Sequence, residues 1–259
     1  MTGMTDDDAG LWLREYHPAT PGSVQLVCLP HAGGSASYYF PVSRALAPDV
    51  EVLAVQYPGR QDRRHEPLVR DLPELARRVH AVLRRRIDRP LALFGHSMGA
   101  SLAFEVARLL EHEDGVAPVR LFASGRRAPS RVRDERVHLL DDRGLIADVR
   151  RLSGTEGGLL GDDEVLRMIL PAIRADYTAA ETYRYAPGPL LSSPITAFTG
   201  DRDPKATVDE VRSWQDHTTG AFDLHTYSGG HFFLNRHQAA VLDIIQAQLV
   251  TVPAGTRTA

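Results

Sequence analysis

The chain has one cysteine, Cys28, and one lysine, Lys205, in 259 residues. A single thiol excludes an internal disulfide framework and any multi-cysteine metal site, and it suits a reducing compartment. No apolar run approaches the ~20 residues needed to span a bilayer. Residues 1–8 are acidic and polar, the reverse of a signal-peptide start. The expected location is therefore the cytoplasm, away from any membrane. Excess positive charge is also missing: 30 basic against 33 acidic residues leave a net charge of −3, which argues against a nucleic-acid binder. Of the cations, 29 are arginine. That bias reads first as coding preference in a GC-rich genome, and second as guanidinium groups kept for anionic partners. The groups at 84–86 and 126–136 read as solvated faces.

What is present is an ordinary globular composition, 43% hydrophobic and 24% charged. The length suits one large α/β domain over residues 1–259. Apolar strands are predicted at 11–17, 24–29, 51–56, 91–95, 119–124, 194–199 and 222–227. Helices are predicted at 38–47, 72–87, 98–113 and 236–250. Such alternation implies a mostly parallel sheet covered on both faces. The alternation breaks between about 131 and 189, where two helical stretches (141–152 and 162–185) flank a glycine-rich joint at 154–161. A helical insertion between two strands is a candidate lid over a site. Residues 251–259 read as a flexible tail.

The strongest local signal is Gly95-His96-Ser97-Met98-Gly99, placed after a strand and ahead of a helix as a nucleophile elbow requires. The turn is tight, so its neighbours must be small, and the helix N-terminus aims backbone N–H groups at developing negative charge. A serine nucleophile needs a base and a group that orients the base. Among the later histidines, His231 lies in Ser228-Gly229-Gly230-His231, between the last strand and the closing helix. His217, His225 and His237 fall within or against predicted elements. The acid belongs after the preceding strand, in Gly200-Asp201-Arg202-Asp203-Pro204. Spacing alone does not choose between the two carboxylates; the turn favours Asp203, with Asp201 as a capping residue. Backbone N–H groups of Met98 and of Ala32, in Pro30-His31-Ala32-Gly33-Gly34, are the expected oxyanion donors. His31 is expected to hold that loop, and Cys28 to lie in the core. No H-E-x-x-H, Gly-Lys-Ser/Thr loop or G-x-G-x-x-G opening a helix is present.

Several segments together resemble one family. They are Leu29-Pro30-His31-Ala32-Gly33-Gly34, Tyr57-Pro58-Gly59-Arg60, the Ser97 elbow and Ser124-Gly125-Arg126-Arg127-Ala128-Pro129. Further on come Leu170-Pro171-Ala172-Ile173-Arg174-Ala175-Asp176-Tyr177, Glu181-Thr182-Tyr183 and Gly229-Gly230-His231-Phe232-Phe233. The chain resembles the type II (external, editing) thioesterases of polyketide and nonribosomal peptide synthesis over about residues 11–249. The resemblance implies an α/β-hydrolase fold with a helical lid after the sixth strand, and a triad of Ser97, Asp203 and His231. It also implies hydrolysis of stalled acyl or aminoacyl groups from the phosphopantetheine arm of acyl or peptidyl carrier proteins. No cofactor, metal or nucleic acid is expected, and a monomer is. Carrier proteins of such pathways tend to be acidic, so Arg126, Arg127 and Arg131 are expected to steer docking. The alternatives are a small-molecule carboxylesterase, a chain-terminating cyclase and a non-catalytic synthase-binding protein of the same fold.

Overall fold

The computed structural model describes residues 10–153 and 163–250. The glycine-rich joint at 154–161, the tail at 251–259 and the acidic start lie outside them. Seven strands form one sheet: β1 (Leu13–Glu15), β2 (Val24–Leu29), β3 (Val50–Val55), β4 (Leu91–His96), β5 (Arg120–Ser124), β6 (Ile195–Gly200) and β7 (Phe222–Tyr227). Their spatial order is β1-β3-β2-β4-β5-β6-β7. β1 runs antiparallel to β3, and every other pairing is parallel. The helices are α1 (Phe40–Leu46), α2 (Leu72–Leu83), α3 (Met98–Glu113), α4 (Asp142–Ser153), α5 (Asp163–Thr182), α6 (Val208–Arg212) and α7 (Leu234–Val250).

Strand side chains alternate between two cores because successive Cβ atoms leave the sheet on opposite faces. Val27 and Leu29 join one core with Leu75, Val79 and Leu83 of α2 and Leu102, Val106 and Leu110 of α3. Leu26 and Cys28 join the other with Leu46 of α1 and Ile245 and Leu249 of α7. Every residue of β2, β3 and β4 is buried, as strands covered on both faces must be. Each fully buried Leu or Val contributes about 1.5–3 kcal/mol, so the two cores carry most of the fold's stability.

The fold is the expected α/β-hydrolase architecture, with local differences. The first strand is shorter than 11–17. α2 stops at Leu83 instead of running to 87, because Arg85 and Arg86 donate to Val82 and Leu83 three residues back, tightening the end into turns. α7 begins at Leu234, two residues early, with non-helical backbone at His237, whose Nε2 lies 2.9 Å from the Ser228 carbonyl. Helix α6 was not expected. Its capping box, Thr207 with Glu210, follows a Ser/Thr-x-x-Glu pattern that the sequence does carry. Among the described residues five strands precede the helical stretch holding α4 and α5, which therefore follows the fifth strand, not the sixth.

Candidate active site

The C-terminal ends of β4, β6 and β7 bring three side chains together. Ser97 sits between β4 and α3 with φ 56° and ψ −121°, a conformation that costs an L-residue about 1–3 kcal/mol. The turn closes only because its flanks lack side chains. A Cβ on Gly95 would lie 2.0 Å from the Gly99 carbonyl oxygen, and one on Gly99 would lie 2.1 Å from that of Leu29. Sharp reversal lifts the serine hydroxyl above the sheet edge and starts α3 beneath it. Ser97 Oγ lies 2.9 Å from His231 Nε2. His231 Nδ1 faces the Asp203 carboxylate, 2.9 and 3.0 Å from its two oxygens. A carboxylate only accepts, so this contact places the Nδ1 proton and leaves Nε2 to receive the hydroxyl proton. Asp203 and His231 are buried, and the Lys205 backbone N–H also donates to Asp203 at 2.8 Å.

Asp201, the other carboxylate of the loop, turns away and accepts the Gly229 N–H at 2.8 Å, which holds its carboxyl below the usual range. It ties the β6 loop to the β7 loop and so sets the spacing of Asp203 and His231. His217 and His225 stay remote from Ser97: His217 packs against Phe104, Tyr185 and Trp214, and His225 stacks on Phe198 within β7. Two further histidines surround His231. The His96 ring lies 5.1 Å from it and the His31 ring 6.1 Å from His96. Burial keeps both neutral, pushing His31 down to about 4 and His96 well below the usual imidazole range.

Ala32 and Met98 line the cavity in front of Ser97. The Gly34 N–H donates to the His31 carbonyl and the Gly33 N–H to Asp176 Oδ2, at 2.9 and 2.7 Å. Among the described residues the Ala32 N–H, at the cavity wall, has no hydrogen-bond acceptor. The cavity measures about 100 Å³. Its far wall comes from the helical stretch, through Val149 of α4 and Ile169, Ile173 and Tyr177 of α5. Arg126, Glu135, Glu181 and Lys205 add charge to this mostly apolar wall.

Within the Arg126–Arg136 run the solvated-face expectation holds for Arg131 and Arg136 and fails for Arg126 and Arg127. Arg126 and Arg127 point inward, not to a docking face. Arg126 donates to Ser101 Oγ at 2.9 Å and to the Ala180 carbonyl at 3.1 Å, and burial lowers it to about 10. Arg127 donates to Glu135 at 2.6 Å and to the Lys205 carbonyl at 3.0 Å. Arg131 is exposed and donates to Ser213, and Arg84–Arg86 lie on a solvated face as expected. The segments around Arg60 and Asp176 resemble the family's, but sequence reasoning assigned neither residue a role. Their pairing joins positions 116 apart, and no local pattern encodes it.

The family model for the thioesterase domain matches residues 24–249. Thioesterase PikA5 of Streptomyces venezuelae is 57% identical over 229 residues, covering 88% of this chain and 82% of the relative. The probable cadicidin biosynthesis thioesterase of Streptomyces griseus is 55% identical over 243 residues, covering 93% and 67%. Among solved structures, the type II thioesterase BorB from the borrelidin biosynthetic cluster is 56% identical. It covers 92% of this chain and 98% of its own, with a TM-score of 0.89. The chain belongs to the thioesterase family, hydrolases of thioester bonds on an α/β-hydrolase fold.

Proposed function

We propose that the chain is a type II thioesterase that clears aberrant or stalled acyl and aminoacyl groups from carrier proteins of polyketide or nonribosomal peptide synthesis, using Ser97, His231 and Asp203. The observation that carries this reading is the unbroken hydrogen-bonded line from Ser97 Oγ through His231 to Asp203. Three relatives support the pathway: PikA5, the cadicidin enzyme and BorB carry thioesterase names, the second naming cadicidin biosynthesis and the third the borrelidin biosynthetic cluster. The partner is then an acyl or peptidyl carrier domain. The phosphopantetheine arm arrives with the substrate, so no resident cofactor is required. We place the activity in the cytoplasm, in a monomer whose segment at about 131–189 serves as the lid of a single domain.

Ser97 Oγ attacks the thioester carbonyl while His231 Nε2 takes its proton. The carbonyl oxygen becomes an oxyanion facing the N–H groups of Ala32 and Met98, and Asp203 stabilises the imidazolium. Collapse breaks the C–S bond. The arm leaves as a thiolate, which needs little help, and is protonated as His231 returns to neutral. A water then loses its proton to His231 as it attacks the acyl-serine. The second collapse releases the free acid and restores Ser97. The cavity, about 100 Å³, suits short acyl groups lying along Val149, Ile169 and Ile173.

The test is mass spectrometry of an acetyl- or propionyl-loaded carrier protein incubated with wild type or Ser97→Ala. The expected result is free-thiol carrier from wild type, with loss of up to ~10⁶ in rate in the variant, the scale set by a serine protease. Wild type that cleaves a small oxoester but leaves the carrier loaded would be a carboxylesterase. Wild type that turns over neither would be a binding protein.

A further inference from the structure

Helix α5 crosses the cavity and also grips the loop that carries the expected oxyanion donor Ala32. Two side chains one turn apart make the contact. Ile173 packs over Gly33, so closely that a Cβ there would lie 2.7 Å from its Cγ1. Asp176 accepts the Gly33 N–H at 2.7 Å through Oδ2. The same oxygen pairs with Arg60, whose other guanidinium nitrogen donates to the Pro58 carbonyl at 2.7 Å. Asp176 is 1% exposed and Arg60 7%. Burial raises the Asp176 carboxyl, and Arg60 and Gly33 oppose that rise.

Two further tethers of the loop come from residues just after β3. Tyr57 Oη donates to the Pro30 carbonyl at 3.0 Å, and the Ala36 N–H donates to Gln56 Oε1 at 2.8 Å. Between these ends the Gly34 N–H closes a turn on the His31 carbonyl, with Gly33 at φ +77°, and Asp176 holds the Gly33 peptide from outside that turn. The Gly33 N–H shares a peptide plane with the Ala32 carbonyl, and only the φ and ψ of Ala32 separate that plane from the one bearing the Ala32 N–H. Fixing the first plane therefore restricts the second.

We propose that Asp176 is a positioning residue that holds the Ala32 N–H in oxyanion-binding geometry, so that turnover requires α5 to be seated on the Ala32–Gly33 loop. If α5 withdraws, Gly33 loses its acceptor and Arg60 its counterion in one movement. Helix position and catalytic competence are then one event: a site with its wall displaced is also a site with a misaligned donor. The inference rests on Ser97 as nucleophile and Ala32 as donor.

The test uses the full chain with a propionyl N-acetylcysteamine thioester and with phenylboronic acid, which adds to a serine hydroxyl as a tetrahedral anion. Asp176→Ala is expected to lower kcat by ~10²-fold with little change in KM, the scale of a donor displaced or lost. Asp176→Asn still accepts from Gly33 and is expected to lose roughly tenfold, since a neutral acceptor is about half as strong. Boronate affinity should fall in step with kcat. Full kcat in Asp176→Ala would overturn the proposal, as would lowered kcat with unchanged boronate affinity, because a structural role would not track the transition-state mimic. Should Asp176→Ala fail to fold, Asp176→Asn and Ile173→Ala carry the same comparison. Ser97→Ala keeps the two readings apart: activity surviving in that variant removes the nucleophile assignment, whatever Asp176 does.

Discussion

Gly95 and Gly99 show how little freedom the turn at Ser97 has. At each position a methyl group would overlap a backbone oxygen, at 2.0 and 2.1 Å, and backbone cannot swing aside as a flexible side chain can. Gly99→Ala is therefore expected to destabilise the protein by about 3–5 kcal/mol, read as a lower urea midpoint. A midpoint equal to wild type would mean that strand β4 and helix α3 can separate at the elbow. Histidines withdrawn from water weaken the fold in acid. Burial lowers His31 and His217 to about 4, and His96 well below the usual range. In the unfolded chain each takes a proton near pH 6.5, whereas the folded protein refuses it. The stability they contribute is complete above pH 6.5 and is lost as the pH falls toward 4. Urea midpoints at pH 7, 6 and 5 are expected to drop at each step; a flat series would mean that these imidazoles are solvated.

At the scale of elements, the charged group beside the cavity joins separate parts of the chain. Glu135, between β5 and α4, accepts from Arg127 at 2.6 Å and from Lys205 Nζ at 3.2 Å. Arg127 follows β5, and Lys205 sits in the loop that also carries Asp203. Lys205 Nζ further meets Asp148 of α4 at 3.4 Å. The two cations outweigh burial and hold the Glu135 carboxyl below its usual range. Glu135→Gln leaves the buried Arg127 without its carboxylate and Lys205 with Asp148 alone, and is expected to cost about 2–4 kcal/mol, checked by equilibrium unfolding. Element positions were largely legible because each carries its own periodicity and stop signals. Asp71 caps α2 by accepting the Glu74 N–H, and Pro73 stands in its first turn. Arg126 and Arg127 were misread because an arginine run looks the same in sequence whether it meets water or buried acceptors.

At the scale of the whole molecule, the three side chains of the site come from the ends of β4, β6 and β7, which pair through β5 in the middle of the sheet. Ser97 and His231 are 134 residues apart, and Asp203 and His231 are 28 apart. The four adjacent strands β4–β7 must pair before the three side chains meet. Thioesterase activity in urea is therefore expected to vanish at or before the midpoint seen by near-UV circular dichroism. Activity outlasting that transition would mean that the site forms without the full sheet.

The sequence by itself determined what short segments can express: two-sided apolar strands, amphipathic helices between them, and a glycine-flanked serine at a strand–helix turn. These follow from steric and burial rules acting over a few residues. Only the tertiary structure decided which carboxylate meets His231. Asp201 and Asp203 lie two residues apart, and the choice depends on how the β6 and β7 loops approach, with Asp201 spent on the Gly229 N–H and Asp203 turned inward. The same holds for the inward course of Arg126 and Arg127, and for the reach of Asp176 across to Gly33 and Arg60. A hydrogen bond needs atoms about 3 Å apart, and for partners distant in sequence only the packing of whole elements fixes that distance.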